Sequence, residues 1–414
     1  MNNDDDDDDE DDIQSFSLIH ICTHTYTLYI YMQYNKTSRL LIVILIIILH
    51  LVVEITSQEE EEEDSSSSIE FENWLRSKNV KTHDDVEIRT SNRGRGLYAT
   101  KDLEENVVFA EIPLSSMINI EHVLRHPIVG PIANEVNDLF ALALFLLHET
   151  NNSAYLQWLN LDVRASPMEW ITKDTTLKRM SIGMEIERRR SYNLEILEQL
   201  KENKINNLTL FELERLVFLV QSRIHGVRVR HPITKKWHNT KCLVPFADAM
   251  NTDAKSNVNT ECFTNQDSTH FVCRTKRPIV AGQELLSYYA NRPNDILLLD
   301  YGFTLPASGG EVAVHLTSNI TVRASKFEDA IFTLGSVEQL ENALTRHFTN
   351  FISIEFPCGQ EKHIEQFSCL SDVTKKRCSA PSNDENTRHV LRIAESECVT
   401  LSYLRTKIKS LLEI

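Results

Sequence analysis

The chain has 414 residues, and 42% of them are hydrophobic, which is enough for the core of one large domain or of two smaller ones. Its formal net charge is −17, but residues 1–64 hold 16 acidic side chains against two basic ones and so carry about −14 of that total. The rest of the chain is close to neutral, which excludes broad nucleic-acid binding because such binding needs basic patches.

The N-terminus combines an acidic leader with an apolar run. Residues 1–31 are rich in aspartate and predict a disordered leader. After Met32 the few charges are basic, and an apolar run follows at residues 40–53. This run is short for a membrane span and typical of a signal peptide, so residues 32–57 predict a signal peptide or a signal anchor. We therefore expect a location in the secretory pathway, such as the endoplasmic reticulum, or at a membrane. A cytoplasmic protein is expected instead if the N-terminal sequence is a gene-model artefact.

An acidic and serine-rich linker at residues 58–70 leads into a folded region. Residues 86–120 have the pattern of short strands separated by turns. Residues 121–226 have helical periodicity. Within them, the spacing of Thr209 and Glu212 is that of a capping box, which predicts a helix start at Thr209.

Strand patterns return between residues 227 and 288, and beyond residue 305 the chain becomes helical again. Neither strand-rich segment has enough strands to hide its own edges, so we expect the two to pack together. The sequence therefore predicts an α+β protein. Its β-rich domain covers residues 71–304, with a helical insert at about 121–226, and an all-helical domain follows at residues 305–414.

The eight cysteines do not form a metal-binding pattern. No C-x-x-C pair occurs, so a zinc cluster is disfavoured and we expect no metal. In a secretory protein the last four cysteines could form disulfides: Cys358, Cys369, Cys378 and Cys398. The sequons at Asn151, Asn207 and Asn319 could then be glycosylated.

Two groups of polar residues before residue 282 could form part of a binding site. Gly94-Arg95-Gly96 lies between two predicted strands, where glycines let backbone approach a ligand, although a hairpin turn is the more frequent reason for such glycines. Arg223 ends an apolar helix, and Asp248 and Asn251 follow a predicted strand. Helix-end and turn roles are the ordinary explanations for these three residues.

The segment from Gly282 to Phe303 is the most informative part of the chain. It contains Tyr288, Asn294 and Tyr301, but no metal-ligand, phosphate-loop or nucleophile pattern. Tyrosine hydroxyls, an asparagine amide and backbone carbonyls could hold a small polar cofactor and orient a methyl group.

Taken in order, these segments resemble the SET-domain methyltransferases, in the branch that includes the Rubisco large-subunit lysine methyltransferase and the actin histidine methyltransferase. The resemblance covers about residues 85–304 and rests on five ordered motifs: GRGLYATKDL, LALFLLHE with YLQWL, FLVQSRIHGVRV, LVPFADAMNT and SYYANRPNDILLLDYGF. It implies a β-rich SET fold with a pseudoknot, the cofactor S-adenosylmethionine, and a protein substrate held with the help of the C-terminal helices. We expect a monomer that touches a membrane only through a possible N-terminal anchor.

The resemblance also implies roles for the matching residues. Tyr288 is expected to be the catalytic tyrosine, and Tyr301 and Phe303 to line the channel for the target side chain. Asp248 is expected to support the loop that carries Asn251. The residues expected to bind the cofactor are Gly94, Arg95, Gly96, Arg223, Asn251 and Thr252.

Two positions depart from the family's pattern. Thr252 stands where the family has a histidine, a change that lowers cofactor affinity if the imidazole packs on adenine. Tyr289 stands where a glycine usually follows the catalytic tyrosine, although the Rubisco enzyme also lacks that glycine. We expect a methyltransferase that acts on a protein side chain, foremost lysine. The alternatives are an inactive SET-fold binding module and a protein-histidine methyltransferase.

Overall fold

The computed structural model describes residues 69–91, 94–161, 166–202, 205, 208–230, 236–289, 291–305, 313–317, 320–323, 334, 336–352, 356–357, 378–379 and 385–412. The predicted leader, the apolar run and most of the linker lie outside these residues, as do Asn207, Asn319, Cys358 and Cys369. In the part of the chain that the structure describes, no helix is both long and apolar enough to cross a membrane.

The strands are short, and all of the pairs between them are antiparallel except β13–β14. In chain order they are β1 (Lys81–Thr82), β2 (Val86–Ser91), β3 (Gly94–Ala99), β4 (Val108–Pro113), β5 (Ile118–Asn119), β6 (Ile224–Arg230), β7 (Trp237–Leu243), β8 (Thr260–Thr264), β9 (His270–Thr275), β10 (Glu284–Leu285), β11 (Val314–Thr317), β12 (Ile320–Val322), β13 (Phe356–Pro357) and β14 (Cys378–Ser379). Three sheets have the orders β10-β3-β2, β1-β4-β9-β8 and β5-β7-β6. Strands from before and after the helical insert share each of these sheets, so the two strand-rich segments pack together as predicted.

Most of the helices fall into two blocks, one in the insert and one near the C-terminus, and α1 and α10 lie outside both. They are α1 (residues 69–77), α2 (Ile120–Leu124), α3 (Val129–Ala133), α4 (Asp138–Glu149), α5 (Ala154–Leu161), α6 (Pro167–Ile171), α7 (Thr175–Lys178), α8 (Ser181–Glu202), α9 (Leu210–Arg223), α10 (Asn294–Tyr301), α11 (Val337–Ile352) and α12 (Glu385–Leu412). The capping box predicted at the start of α9 is confirmed. The Thr209 hydroxyl accepts from the N–H of Glu212, and the Glu212 carboxylate accepts from the N–H of Thr209.

Two hydrophobic cores lie within the described residues, and the helical insert contributes to both. The first packs the sheets against α1 to α5 and α9, and includes Leu97, Phe109, Leu142, Trp158 and Leu285. The second packs α6, α7 and α10 against the C-terminal helices, and includes Ile171, Leu298, Leu344, Leu401 and Ile408. Helix α8 enters the second core with Ile182 and Ile186 and the first with Ile196 and Leu200. The insert therefore connects the β-rich part of the chain to the C-terminal helices.

The predicted α+β class, with a helical insert and C-terminal helices, is confirmed. In addition to α11 and α12, the described part of residues 305–414 contains two short strand pairs, β11–β12 and β13–β14. The cysteine chemistry adds a pairing that the sequence did not predict. Cys262 and Cys273 stand opposite each other on β8 and β9 and form a disulfide. Among the last four cysteines, which could form disulfides in a secretory protein, Cys398 is disulfide-bonded.

Candidate active site

The three polar segments singled out in the sequence meet at the side chain of Asn251. Its Nδ2 donates to the carbonyl oxygen of Arg95 at 3.1 Å and to Oε1 of Glu284 at 2.7 Å. The backbone carbonyl oxygen of Asn251 accepts from the N–H of Ser287 at 2.9 Å, and the backbone of Asn251 forms an isolated parallel bridge with Leu286. One asparagine therefore joins three parts of the chain. They are strand β3, residues 243–252 (the asparagine segment) and residues 282–303 (the tyrosine-rich segment).

The two glycines that flank Arg95 are required by backbone angle and by space. Gly94 has a φ of +90°, a conformation that favours glycine because it lacks a Cβ. A Cβ on Gly96 would lie 2.5 Å from Oε1 of Glu284 and 3.2 Å from Nδ2 of Asn251. A side chain at Gly96 would therefore disrupt the contact that joins the three segments.

The turn that carries Asp248 is held by side chains from two helices. Ala247–Ala249 forms a 3₁₀ turn, which Phe246 enters with a φ of +69°. Nη1 of Arg223, at the end of α9, donates to the Asp248 carbonyl oxygen at 2.6 Å. The hydroxyl of Tyr155, in α5, donates to Oδ2 of the Asp248 carboxylate, also at 2.6 Å. Both contacts fix the turn that leads into Asn251.

Asp248 is almost completely enclosed, with 1% of its surface exposed. Burial raises its pKa to about 6, while the Arg223 charge, the Tyr155 hydrogen bond and the Arg95 charge oppose that rise. The carboxyl group therefore changes its charge within the pH range in which most proteins are studied.

The two adjacent tyrosines of the tyrosine-rich segment have different environments. Tyr288, the residue predicted to be catalytic, is 45% exposed. The hydroxyl of Tyr289 donates to the carbonyl oxygen of Met250 at 2.5 Å, and its ring centroid lies 4.8 Å from that of Tyr301. Burial raises the pKa of Tyr289, so its hydroxyl stays protonated at neutral pH. The structure thus brings Tyr289, and not Tyr288, together with Tyr301.

Tyr301 is the last residue of α10, and its position is set on both sides. Gly302 follows in the left-handed conformation, with a φ of +82°, and ends the helix. Asn294, at the start of α10, exchanges two hydrogen bonds with the backbone of Leu305, at 2.9 and 3.0 Å. The Phe303 ring centroid lies 6.2 Å from that of Tyr301. The predicted channel residues Tyr301 and Phe303 are therefore neighbours at the C-terminal end of α10, in a segment that the hydrogen bonds between Asn294 and Leu305 hold in place.

Thr252 points inward and contacts the same segment. It is 4% exposed, and its hydroxyl oxygen accepts from the backbone N–H of Tyr289 at 3.4 Å. The residue that departs from the family's histidine thus helps to hold Tyr289.

The sequence analysis named Tyr288 and treated Tyr289 only as a departure from the family's glycine. Side chains of an extended segment alternate between two faces, but Leu285 and Leu286 are both buried, so parity does not decide which tyrosine faces inward. Glu284 was also missed, and no periodic pattern marks it.

One cluster has the composition of a metal site, although the sequence analysis expected no metal. The ligand atoms of His126, His148 and Glu149 lie within 4.8 Å of one another. Nε2 of His126 and Nδ1 of His148 both contact Oε1 of Glu149, at 3.0 and 3.1 Å. Nδ1 of His126, however, accepts the N–H of Val129 at 3.0 Å, which assigns the ring proton to Nε2. Metal-binding histidines usually donate from their second nitrogen, so this arrangement disfavours a metal.

Comparison with known proteins agrees with this geometry. Residues 94–290 match the family model of the SET domain. Over 256 residues, 57% of this chain, it is 24% identical to the mouse SET domain-containing protein 4, covering 58% of that protein. It is 26% identical over 253 residues, 56% of the chain, to the chloroplastic [fructose-bisphosphate aldolase]-lysine N-methyltransferase of Arabidopsis thaliana, covering 51% of it. It is 24% identical over 313 residues, 70% of the chain, to the chloroplastic Rubisco large subunit N-methyltransferase of Pisum sativum, covering 61% of it. The chain thus spans between about half and three fifths of these relatives.

Solved structures match over a larger part of the chain. The SET domain of LSMT bound to lysine and AdoHcy superposes with a TM-score of 0.61 at 17% identity, over 84% of this chain and 92% of that one. Rubisco LSMT bound to AdoMet superposes with a TM-score of 0.59 at 17% identity, over 83% and 92%. At this identity the match establishes the fold.

Proposed function

We propose that this chain, whose residues 94–290 form a SET domain, transfers a methyl group from S-adenosylmethionine to the side-chain amine of a lysine in a protein substrate. The observation that carries the proposal is the convergence at Asn251 of the GRG strand, the asparagine segment and the tyrosine-rich segment. Two of the relatives are named as lysine or Rubisco methyltransferases, and one solved neighbour holds lysine together with AdoHcy. These names support the substrate class without identifying the substrate.

The proposed cofactor residues surround the Asn251 junction. Gly94, Arg95 and Gly96 form one wall, and the absence of a Cβ on Gly96 leaves room for the contact between Asn251 and Glu284. Asn251 and Thr252 form the second wall, and Arg223 supports it through the carbonyl of Asp248. Two facts make this set suitable for S-adenosylmethionine. Backbone and amide groups can bind a neutral adenine, and the enclosed tyrosines can contact a methyl sulfonium.

The proposed catalytic residue is Tyr289. The sequence prediction named Tyr288, whose ring is 45% exposed in the ligand-free chain, and it stays a prediction. Tyr289 is partly buried, faces Tyr301, and has its hydroxyl fixed by Met250. Tyr301 and Phe303 then form the wall of the channel for the target amine.

These residues fit the chemical requirements of methyl transfer to an amine. When bound, S-adenosylmethionine would supply an electrophilic methyl group, which the amine nitrogen would take as S-adenosylhomocysteine leaves. The protein has to align the amine with the methyl group and keep the amine unprotonated. A channel lined by Tyr289, Tyr301 and Phe303 disfavours a charged ammonium by desolvation. Tyrosine hydroxyl and carbonyl oxygens contact the polarised methyl through weak C–H···O interactions.

Incubation of the purified chain with methyl-labelled S-adenosylmethionine and an extract of its own source tests this function. Amino-acid analysis of the labelled protein should recover methyl-lysine. Recovery of methyl-histidine would transfer the assignment to the protein-histidine methyltransferases. Binding of S-adenosylhomocysteine without any labelling would instead identify an inactive binding module.

A further inference from the structure

Helix α5 of the insert presents two aromatic side chains to the candidate site. Tyr155 and Trp158 are three residues apart and so lie on one face of the helix. Neither has any exposed surface. No role in the site follows for them from the sequence, because buried aromatic residues in a helix are usually core residues.

Tyr155 is attached to the asparagine segment. Its hydroxyl donates to Oδ2 of Asp248 at 2.6 Å, and Asp248 lies three residues before Asn251. The ring of Tyr155 stacks on Phe71 and Trp74 of α1, at 5.8 and 5.2 Å between centroids. The stacked rings of Phe71 and Trp74 therefore restrict the position of the Tyr155 ring and of its hydroxyl.

Trp158 is attached to the GRG strand. The Arg95 guanidinium lies over its ring, with Cζ 3.9 Å from the centroid. Phe71 stacks on the same indole at 4.2 Å, with 15° between the ring planes. Arg95 is 6% exposed, so this cation–π contact is shielded from water, where such contacts are strongest.

The two contacts are connected on the far side by Asn251, whose Nδ2 donates to the Arg95 carbonyl. A closed ring of contacts results, running from Tyr155 to Asp248, through Asn251 to Arg95, and back through Trp158 to α5. We propose that Tyr155 and Trp158 are positioning residues that set the distance between the GRG strand and the asparagine segment, and thereby the affinity for S-adenosylmethionine. The inference rests on the proposed function, since it assigns these segments to the cofactor.

Calorimetric titration of S-adenosylhomocysteine into the full chain tests the inference. Tyr155→Phe keeps the ring and removes the hydroxyl, so the ring of contacts opens at Asp248 alone. We expect the Kd to rise about tenfold, the scale of a lost hydrogen bond to a charged group. The matched control is Tyr192→Phe, which removes a hydroxyl that accepts from Nδ2 of Asn137 on the insert, and it should leave the Kd unchanged.

Variants of Trp158 test the second contact independently. Trp158→Leu removes the aromatic face and should raise the Kd about as much as Tyr155→Phe. Trp158→Phe restores a face for Arg95 and should recover most of the affinity. Unfolding midpoints measured without ligand identify any variant that has lost its fold. The Kd values of the variants that remain folded then decide whether Trp158 is a positioning residue.

The pH profile of binding separates positioning from a general loss of stability. The groups that face Asp248 are Arg223 from α9, Tyr155 from α5, Arg95 from β3 and the phenol of Tyr289. Since the Tyr155 hydrogen bond lowers the pKa of Asp248, its removal should move the midpoint of the Kd profile to higher pH. If Tyr155→Phe binds S-adenosylhomocysteine with the same Kd and the same pH profile as the wild-type chain, the inference is overturned and the proposed function is not affected. No binding by the wild-type chain would overturn the proposed function and the inference together.

Discussion

At the scale of single residues, the candidate site depends on the amide of Asn251. Its Nδ2 makes two hydrogen bonds that no hydrophobic or acidic side chain of similar size could make, since both partners are acceptors. An asparagine in a loop is ordinarily a turn residue, and the resemblance of its motif to the SET family was the reason to expect a role in cofactor binding. Its role became visible through its partners, Arg95 and Glu284, which are 156 and 33 residues away in the chain.

The adjacent tyrosines show the limit of sequence reasoning at this scale. Tyr288 and Tyr289 have identical chemistry, and a shift of one residue along an extended segment exchanges its two faces. The motif fixed the segment to within one residue, and the buried face had to be read from the fold. Spacing alone could not decide, because the loop between the tyrosines and Asn294 can change its length.

Asp248 yields a prediction for the pH dependence of stability. Its pKa in the folded chain is about 6, above the ordinary 3.8, so the folded state holds the proton more tightly than the unfolded state. The stabilisation from this proton is complete below pH 3.8 and is lost as the pH rises through 6. Relative to Asp248→Asn, the wild-type chain should gain on the order of 3 kcal/mol in free energy of unfolding between pH 7 and pH 4.

Denaturant titrations of both proteins across this pH range provide the measurement. The comparison is internal, so other titrating groups, such as His225, whose pKa burial lowers to about 4, cancel between the two chains. A difference in unfolding free energy that does not vary with pH would show that Asp248 does not titrate with a raised pKa.

At the scale of elements, helix α10 positions the channel tyrosine. An ion pair fixes its C-terminal end: Nη1 of Arg189, on α8, donates to Oδ1 of Asp300 at 2.8 Å, one residue before Tyr301. The sequence predicted the helical insert that contains α8, but it predicted no helix at the position of α10. It could not predict the pair, because the partners are 111 residues apart and their charges are common on helix surfaces.

Two neighbouring arginines on α8 allow a matched test of this pair. Arg189→Met leaves the Asp300 carboxylate buried without its cation, and we expect a loss of about 3 kcal/mol in stability. Arg188→Met breaks only an exposed pair with Glu185 and should cost less than about 1 kcal/mol. Chemical denaturation measures both values. Equal effects of the two substitutions would contradict a positioning role of the Arg189–Asp300 pair.

At the scale of the whole molecule, the insert connects the two cores through α8. The buried carboxylate of Glu397, on α12, accepts from the N–H and hydroxyl of Ser181 and from Nε2 of His347 at 2.8 to 3.2 Å. These contacts fasten the start of α8 to the C-terminal helices, while its second half packs in the other core. The sequence revealed the order of strand-rich and helical blocks because periodicity is local. It did not reveal that α8 contributes to both hydrophobic cores, since the two halves of this helix have similar amphipathic patterns.

The shared helix predicts cooperative unfolding of residues 70–414. We expect a single thermal transition that Glu397→Gln shifts to lower temperature, because the variant loses the charge that Ser181 and His347 satisfy. Calorimetry provides the measurement. Two resolved transitions in the wild-type chain would show that the cores unfold independently.

The identity of the catalytic tyrosine is the central claim about the site, and it has a direct test. Methyl transfer from labelled S-adenosylmethionine to protein in a native extract should be compared for the wild-type chain, Tyr289→Phe and Tyr288→Phe. Loss of the Tyr289 hydroxyl, which Met250 fixes beside Tyr301, should reduce the labelling rate about a hundredfold. Tyr288→Phe, at an exposed position, should label within about twofold of the wild type. Labelling that survives in Tyr289→Phe and disappears in Tyr288→Phe would contradict the account.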